Sequence, residues 1–273
     1  MPSLDTRTLN GITGDDVKTY TENGAICLRK MFSARSIELM CASVDKRIKN
    51  PGPMRHEFSR SGKVGRFFDD NFLWTSDDNF KNFVFNSPAA LIAAKLMGSS
   101  KVNIFFDQLL VKEPGASDPT PWHQDKPFWP VDGWQLCSIW LALDPVTKES
   151  GAVEYVKGSH KWGQQYLAET FKGKGCYKSD LPKIPDIEAM RGDLEIMQWE
   201  LAPGDCVVHH ALTIHGAPGN LTQAMRRRGL ITRWAGDDAR YSPLPDIQPL
   251  LYEPGIPNGA PLDCELFPQI WPR

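Results

Sequence analysis

His123 and Asp125 stand two residues apart in Pro121-Trp122-His123-Gln124-Asp125-Lys126-Pro127-Phe128-Trp129. An imidazole and a carboxylate at that spacing supply two of the three side chains that hold a divalent ion on one face. In an extended strand residues i and i+2 leave the same side, so both reach one ion while Gln124 points away. A third protein ligand completes the face, and the other positions around the ion stay open to small molecules, as in non-haem iron(II) oxygenases. The pair by itself is weak evidence. With 6 His and 33 Asp+Glu in 273 residues, chance supplies about 0.7 such pairs.

Three histidines compete for the third position: His209 and His210 in Cys206-Val207-Val208-His209-His210, and His215 in Thr213-Ile214-His215-Gly216. A strand entering a glycine turn puts His215 at a rim where backbone approaches a ligand closely, but periodicity does not choose among the three. Downstream, Ala224-Met225-Arg226-Arg227-Arg228-Gly229-Leu230-Ile231-Thr232-Arg233-Trp234 reads as a final strand that begins with arginines. A guanidinium turned inward beside an iron strand matches the far carboxylate of an oxo-acid bidentately. Alternation sends Arg226 and Arg227 to opposite faces, so one of them is expected inside.

The elements that must position these groups divide the chain into three stretches. Residues 1–100 read as a mostly helical N-terminal support with one strand, Ala25 to Leu28. A capping-type start at Thr13-Gly14-Asp15-Asp16 opens the first helix, Ser33 caps the second, and Ser87-Pro88 opens another that ends at Gly98. Gly62 to Trp74 reads as a loop dense in aromatic and charged residues, either a pocket wall or a seal between helices and sheet. From 101 to 235 short strands separated by turn residues give the texture of a sandwich or barrel. Within it, residues 157–191 form an irregular insertion that either covers the site mouth or is a surface excursion. Residues 236–273 are proline-rich and are expected to wrap the surface as coil.

The ordered set His123-Gln124-Asp125, Gly158-Ser159-His160, Pro203-Gly204-Asp205, His215-Gly216, Asn220 and Arg226 resembles the phytanoyl-CoA dioxygenase family of Fe(II)- and 2-oxoglutarate-dependent oxygenases. The resemblance runs from about Phe106 to Trp234 and implies a single mainly β domain with flanking helices around a double-stranded β-helix, or cupin-like jelly roll. It implies His123, Asp125 and His215 as iron ligands. It further implies Arg226 as the partner of the 2-oxoglutarate carboxylate, with Gln108 and Trp140 lining the co-substrate pocket. His160 is then a turn residue, and His209 and His210 lie behind the ligands or in the core. Lys126, Phe128, Trp129, Arg66 and Arg233 are candidate substrate contacts by nearness to the metal strand. The activity implied consumes O2 and 2-oxoglutarate, releases succinate and CO2, and hydroxylates an unactivated C–H bond. Relatives that halogenate lack the carboxylate that Asp125 provides.

Composition agrees with a small-molecule partner. Lys+Arg 31 against Asp+Glu 33 leaves no basic field for nucleic acid or an anionic membrane. The absence of a long apolar run and of an apolar leader points to a cytoplasmic protein. The six cysteines show no metal spacing and are expected as free thiols. Two alternatives use the same residues: desaturation, cyclisation or epimerisation at the same centre, and a metal-binding jelly roll that holds a ligand without turning it over.

Overall fold

A computed structural model describes residues 11–58, 65–169, 176–177, 180–244 and 247–272. Among the described residues four α-helices precede the long strand at Val102–Lys112: α1 (Gly14–Asn23), α2 (Ala34–Lys49), α3 (Asp78–Asn86) and α4 (Ala89–Met97). The strands that build the two main sheets are β1 (Ala25–Leu28), β2 (His56–Glu57), β3 (Phe67–Asn71), β4 (Val102–Lys112), β5 (Thr120–His123), β6 (Leu136–Ala142), β7 (Glu154–Val156), β8 (Ile196–Gln198), β9 (Cys206–His210), β10 (His215–Ala217), β11 (Arg227–Ala235) and β12 (Gln269–Trp271). The large sheet runs β1-β9-β6-β11-β4-β3-β2, with β12 also on β4, and the small sheet runs β8-β7-β10-β5. Every pairing is antiparallel, and together they form the mainly β jelly roll implied by the sequence.

Alternation explains the two faces of the large sheet. Leu109, Val111, Ile139, Leu141, Val208, Leu230 and Trp234 leave one side and pack with Met40, Val44, Phe80, Phe83, Ile92 and Leu96 of the helices. Trp140, Val207 and Ile231 leave the other side and meet Tyr155 of the small sheet. Each such buried side chain contributes roughly 1.5–3 kcal/mol, so the outer cluster fixes the sheet that forms the back wall of the interior.

Local signals set the helix ends. Thr13 and Asp16 form a reciprocal capping box on α1, and Gly24 closes it in the left-handed region at φ 80°. Ser33 caps α2 through its side chain. At α4 Pro88 occupies the N-cap position, and Ser87 before it accepts from the Ala89 N–H at 3.4 Å while also ending α3, a helix absent from the sequence reading.

Two stretches differ more. Phe67–Asn71, expected as loop, is a strand buried at all five positions, although residues 62–64 of that stretch lie outside the described ones. Its run of aromatic and acidic residues hides the alternation because both of its faces are covered. The C-terminal stretch does more than wrap the surface, since Leu266 and Phe267 are fully buried and β12 extends the large sheet. Cys137 and Cys206 are buried and Cys27, Cys41 and Cys264 partly so, all as free thiols.

In β3 the period of two separates neighbouring carboxylates. Asp69 faces the interior with Gln108, while Asp70 faces α2, where it accepts from Arg47 Nε at 2.6 Å and from the Gly52 backbone N–H at 2.8 Å. Removing one member of a buried ion pair leaves the other uncompensated. Arg47→Met is therefore expected to lower unfolding free energy by roughly 3–5 kcal/mol, read from the denaturant midpoint at unchanged slope.

Candidate active site

His123 ends β5 and His215 begins β10, and the two residues are direct cross-strand partners. Each ring donates Nδ1–H to a backbone carbonyl two residues earlier, Pro121 O at 2.7 Å and Thr213 O at 2.9 Å. A carbonyl only accepts, so these bonds fix the tautomer in which Nε2 of both rings carries no proton. The two Nε2 atoms lie 3.8 and 3.9 Å from Asp125 Oδ1. The three residues offer ligand atoms that all fall within 4.8 Å of one another.

Asp125 reaches this point by a route other than strand alternation. The strand stops at His123, and Asp125 adopts helical angles (φ −72°, ψ −47°) ahead of a 3-10 turn at Lys126–Phe128. The chain thus bends under the ion position, and the carboxylate comes up beside the imidazole. Gln124 does point away, donating to Leu212 O at 2.9 Å and Gln164 O at 3.2 Å.

The large sheet grips the far oxygen of Asp125. Ser138 Oγ donates to Oδ2 at 2.6 Å and His209 Nε2 at 3.1 Å, while Arg233 Nη2 lies 3.6 Å from Oδ1. Burial alone would raise this carboxyl. Arg233, the His209 bond and the neighbouring imidazoles outweigh it and hold the group well below its usual range. Burial lowers His123, and burial with the other two imidazoles pushes His215 well below its ordinary value, which favours the neutral rings that can bind a metal.

The same cavity has a wall on the large sheet made by Gln108, Trp140, Ile231, Arg227 and Arg233. Arg227 is 1% exposed, its Nε has no hydrogen-bond partner, and no carboxylate among the described residues pairs with it. The guanidinium lies 4.9 Å over the Trp140 ring, and burial lowers it to about 10. Trp140 Nε1, Tyr155 Oη and Arg233 Nε and Nη1 are likewise buried without partners. Residues around one cavity thus carry buried N–H and O–H groups that lack acceptors, the inverse of an oxygen-rich anion. Gly229 makes room for this wall, because a Cβ there would stand 2.3 Å from Trp140 Cζ2.

Arg226, expected inside, is outside. It immediately precedes β11, is half-exposed, and pairs with Asp45 and Glu113 at 2.8 Å each. The strand starts one residue later than the sequence suggests, so alternation turns Arg227 inward and Arg228 out to Asp144. Gln108 and Trp140 do line the cavity.

The expected substrate contacts separate in the same way. Arg233 lines the cavity, and Phe128 meets His123 edge-on at 5.9 Å. Trp129 is buried against Phe105 and Phe106 and lies 5.7 Å from the Arg233 guanidinium, supporting that arginine from behind. Lys126 is committed to Asp132 and to Gly133 O, both at 2.8 Å, and Arg66 to Glu57 and the Phe68 ring, so neither reaches the cavity. His160 donates to Thr21 O and His210 to Trp134 O, both away from the metal face. The insertion, apart from 170–175 and 178–179 which lie outside the described residues, packs behind β5, where Glu188 accepts from Trp122 Nε1 at 2.8 Å. The sequence reading did not single out Ser138 or Tyr155, and it left Arg227 as one of two arginines of which one turns inward. A serine inside Leu136–Ala142 was the one visible signal.

Comparison with known proteins agrees with this geometry. A probable phytanoyl-CoA dioxygenase of Caenorhabditis elegans is 30% identical over 159 residues, which are 55% of this chain and 49% of that protein. This chain spans about half the length of such curated relatives. The α-ketoglutarate-dependent carbocyclase SnoK of nogalamycin biosynthesis superposes with a TM-score of 0.76 at 22% identity, over 94% of this chain and 96% of that one. The epimerase SnoN, in complex with Fe3+, α-ketoglutarate and nogalamycin RO, superposes with a TM-score of 0.73 at 22% identity, over 93% and 96%. The phytanoyl-CoA dioxygenase profile matches residues 20–228. That match runs from within α1 to the start of β11 and takes in all three candidate ligands, so the chain belongs to the phytanoyl-CoA dioxygenase family of iron(II)- and 2-oxoglutarate-dependent oxygenases.

Proposed function

We propose that this chain hydroxylates an unactivated C–H bond of a small organic substrate, using iron(II), 2-oxoglutarate and O2. The observation that carries the reading is Arg227, a buried guanidinium without a carboxylate, facing the same cavity as His123, Asp125 and His215. A buried cation is costly to leave unpaired, and a dicarboxylate that reaches both the metal face and Arg227 removes that cost.

His123 Nε2, Asp125 Oδ1 and His215 Nε2 would hold the ion, and Arg227 would pair with the distal carboxylate of the oxo-acid, with Tyr155 Oη and Trp140 Nε1 as further donors. When bound, the metal and co-substrate supply the oxidant, and succinate and CO2 are the products. The chain's own residues orient these groups and keep water away: Trp140, Ile231 and Tyr155 make the interior apolar, which strengthens the Arg227 pair relative to water. Phe128 and Arg233 are the remaining candidate substrate contacts. Hydrogen abstraction without oxygen transfer, as a carbocyclase or epimerase requires, would use the same residues with the substrate held at a different angle.

Anaerobic addition of iron(II) and 2-oxoglutarate is expected to give the visible band of a chelated oxo-acid. His215→Ala should abolish it, and Arg227→Ala should weaken oxo-acid affinity by roughly thirtyfold or more, the effect of stripping a buried charge pair of one member. Arg226→Ala should leave the band as in wild type. A band lost in Arg226→Ala and kept in Arg227→Ala would refute the assignment of the clamp. Wild-type protein that binds metal yet shows no band would end the 2-oxoglutarate reading in favour of a ligand-binding jelly roll.

Gly229→Ala should push the Trp140 indole off its place. The expected result is a loss of roughly 1–3 kcal/mol of stability from overpacking, together with weaker 2-oxoglutarate binding. Calorimetric titration beside a thermal melt checks both.

A further inference from the structure

Two guanidinium groups, Arg227 and Arg233, share a cavity wall whose ligand face holds one carboxylate, Asp125. The second carboxylate stands one step back. Asp69 on β3 is 2% exposed and lies on the interior face of the large sheet, opposite Leu110 in the register. Gln108 Nε2 donates to its Oδ1 at 2.6 Å, and Asn71 Nδ2 donates to its Oδ2 at 3.0 Å. His56 Nδ1 lies 3.1 Å from the same Oδ2 and brings the chain of contacts to the surface. A carboxylate only accepts, so it forces Gln108 to turn its amide nitrogen toward Asp69 and its oxygen toward Arg233, whose Nη2 donates to it at 2.6 Å. Arg233 in turn stands 3.6 Å from the oxygen of Asp125 that faces the imidazoles. The chain Asp69–Gln108–Arg233–Asp125 is therefore continuous, and each link has one allowed orientation.

We propose that Asp69 is a positioning residue that acts through Gln108 and Arg233 as the counter-ion of the metal cavity. With Asp69 included, the two guanidinium groups are matched by two carboxylates on the cavity side of the sheet; Asp107, which also acts on Arg233, lies on the opposite face and accepts from the Trp74 N–H. Buried Lys112, beside Arg227, has Asp118 as its own nearby counter-charge. A divalent cation and an oxo-acid dianion cancel each other, so the interior is balanced both empty and loaded. The inference rests on the metal and co-substrate assignment above, and it makes a prediction of sign that a purely structural role does not.

Asp69→Asn keeps an oxygen to accept from Gln108 and removes the charge, while the Oδ2 that accepts from Asn71 becomes an amide nitrogen. In the full chain at about pH 8, where an ordinary imidazole is neutral, two affinities are measured by calorimetry: Mn(II) for the metal-free protein, and 2-oxoglutarate for the Mn(II)-loaded protein. The variant should bind Mn(II) about tenfold more weakly and 2-oxoglutarate more tightly by a similar factor, as one extra positive charge at this range dictates. Arg233→Gln should reverse both signs. If both affinities weaken together in Asp69→Asn, or neither moves, Asp69 is a scaffold residue and the proposal is overturned. Should Asp69→Asn fail to fold, Asp69→Ser, which removes the same charge with a smaller side chain, decides by the same sign criterion. Failure of 2-oxoglutarate to bind wild-type protein would sink the co-substrate reading, while the Mn(II) measurement would still decide the role of Asp69.

Discussion

A carboxylate closed inside a sandwich has to be told which way to face, and in this protein one row of the large sheet does so. His209, Ser138 and Arg233 stand side by side on β9, β6 and β11, each the direct cross-strand partner of the next. All three reach across the interior to Asp125, which arrives from the other side on the turn after β5. Ser138 and His209 occupy one oxygen, so the other is left to the imidazoles. The grip ties the two sheets together at the level of the metal face. Without it the carboxylate would be a desolvated charge free to rotate, which is costly in stability and useless as a ligand.

The three consecutive arginines show how burial separates function from decoration. Arg226 pairs with Asp45 and Glu113 near the surface, where such pairs contribute little, and Arg228 is satisfied by a bidentate pair with Asp144. Arg227, between them, is buried with an aromatic ring for company. A protein gains nothing in stability from that arrangement, since a hydrophobic side chain of the same size would serve the core better. A residue that is costly to the empty fold and aligned with a ligand face is understandable when an anion completes it.

Much of this was legible in the sequence, and the failures have specific causes. The His-x-Asp pair is a short-range feature, as are the strands at Ala25–Leu28 and Cys206–His210, and these were read correctly, whereas Gly216, expected in a turn that ends a strand, sits inside the strand that His215 begins. The reason given for Asp125 was wrong: a proline two residues on and a 3-10 turn replace strand alternation, and the same spacing works through a bend. Choosing between Arg226 and Arg227 required the starting register of β11 to within one residue. Sequence patterns do not fix strand ends that sharply, and one step inverts every side chain. Asp69 was invisible for a different reason. It belongs to a strand covered on both faces, and its significance comes from Gln108 and Arg233, 39 and 164 positions away.

The period that concealed Arg227 also explains how the ligands are held still. Each ligand has a neighbour that points the opposite way, and these neighbours bind the structure behind the small sheet. Gln124, between His123 and Asp125, donates to Leu212 O and to Gln164 O and accepts from the Tyr166 N–H. Ile214, before His215, gives its N–H to Ser159 Oγ at 2.9 Å, and Ser159 donates onward to Val156 O at 2.7 Å. The insertion after β7 and the Gly158-Ser159-His160 turn therefore act on the metal face from the rear. Candidate ligand and anchor are neighbours on the same backbone, so a shift of His123, Asp125 or His215 strains the hydrogen bonds of Gln124 or Ile214 on the far side. That coupling is what lets three side chains on two short strands and a turn keep one geometry before an ion arrives.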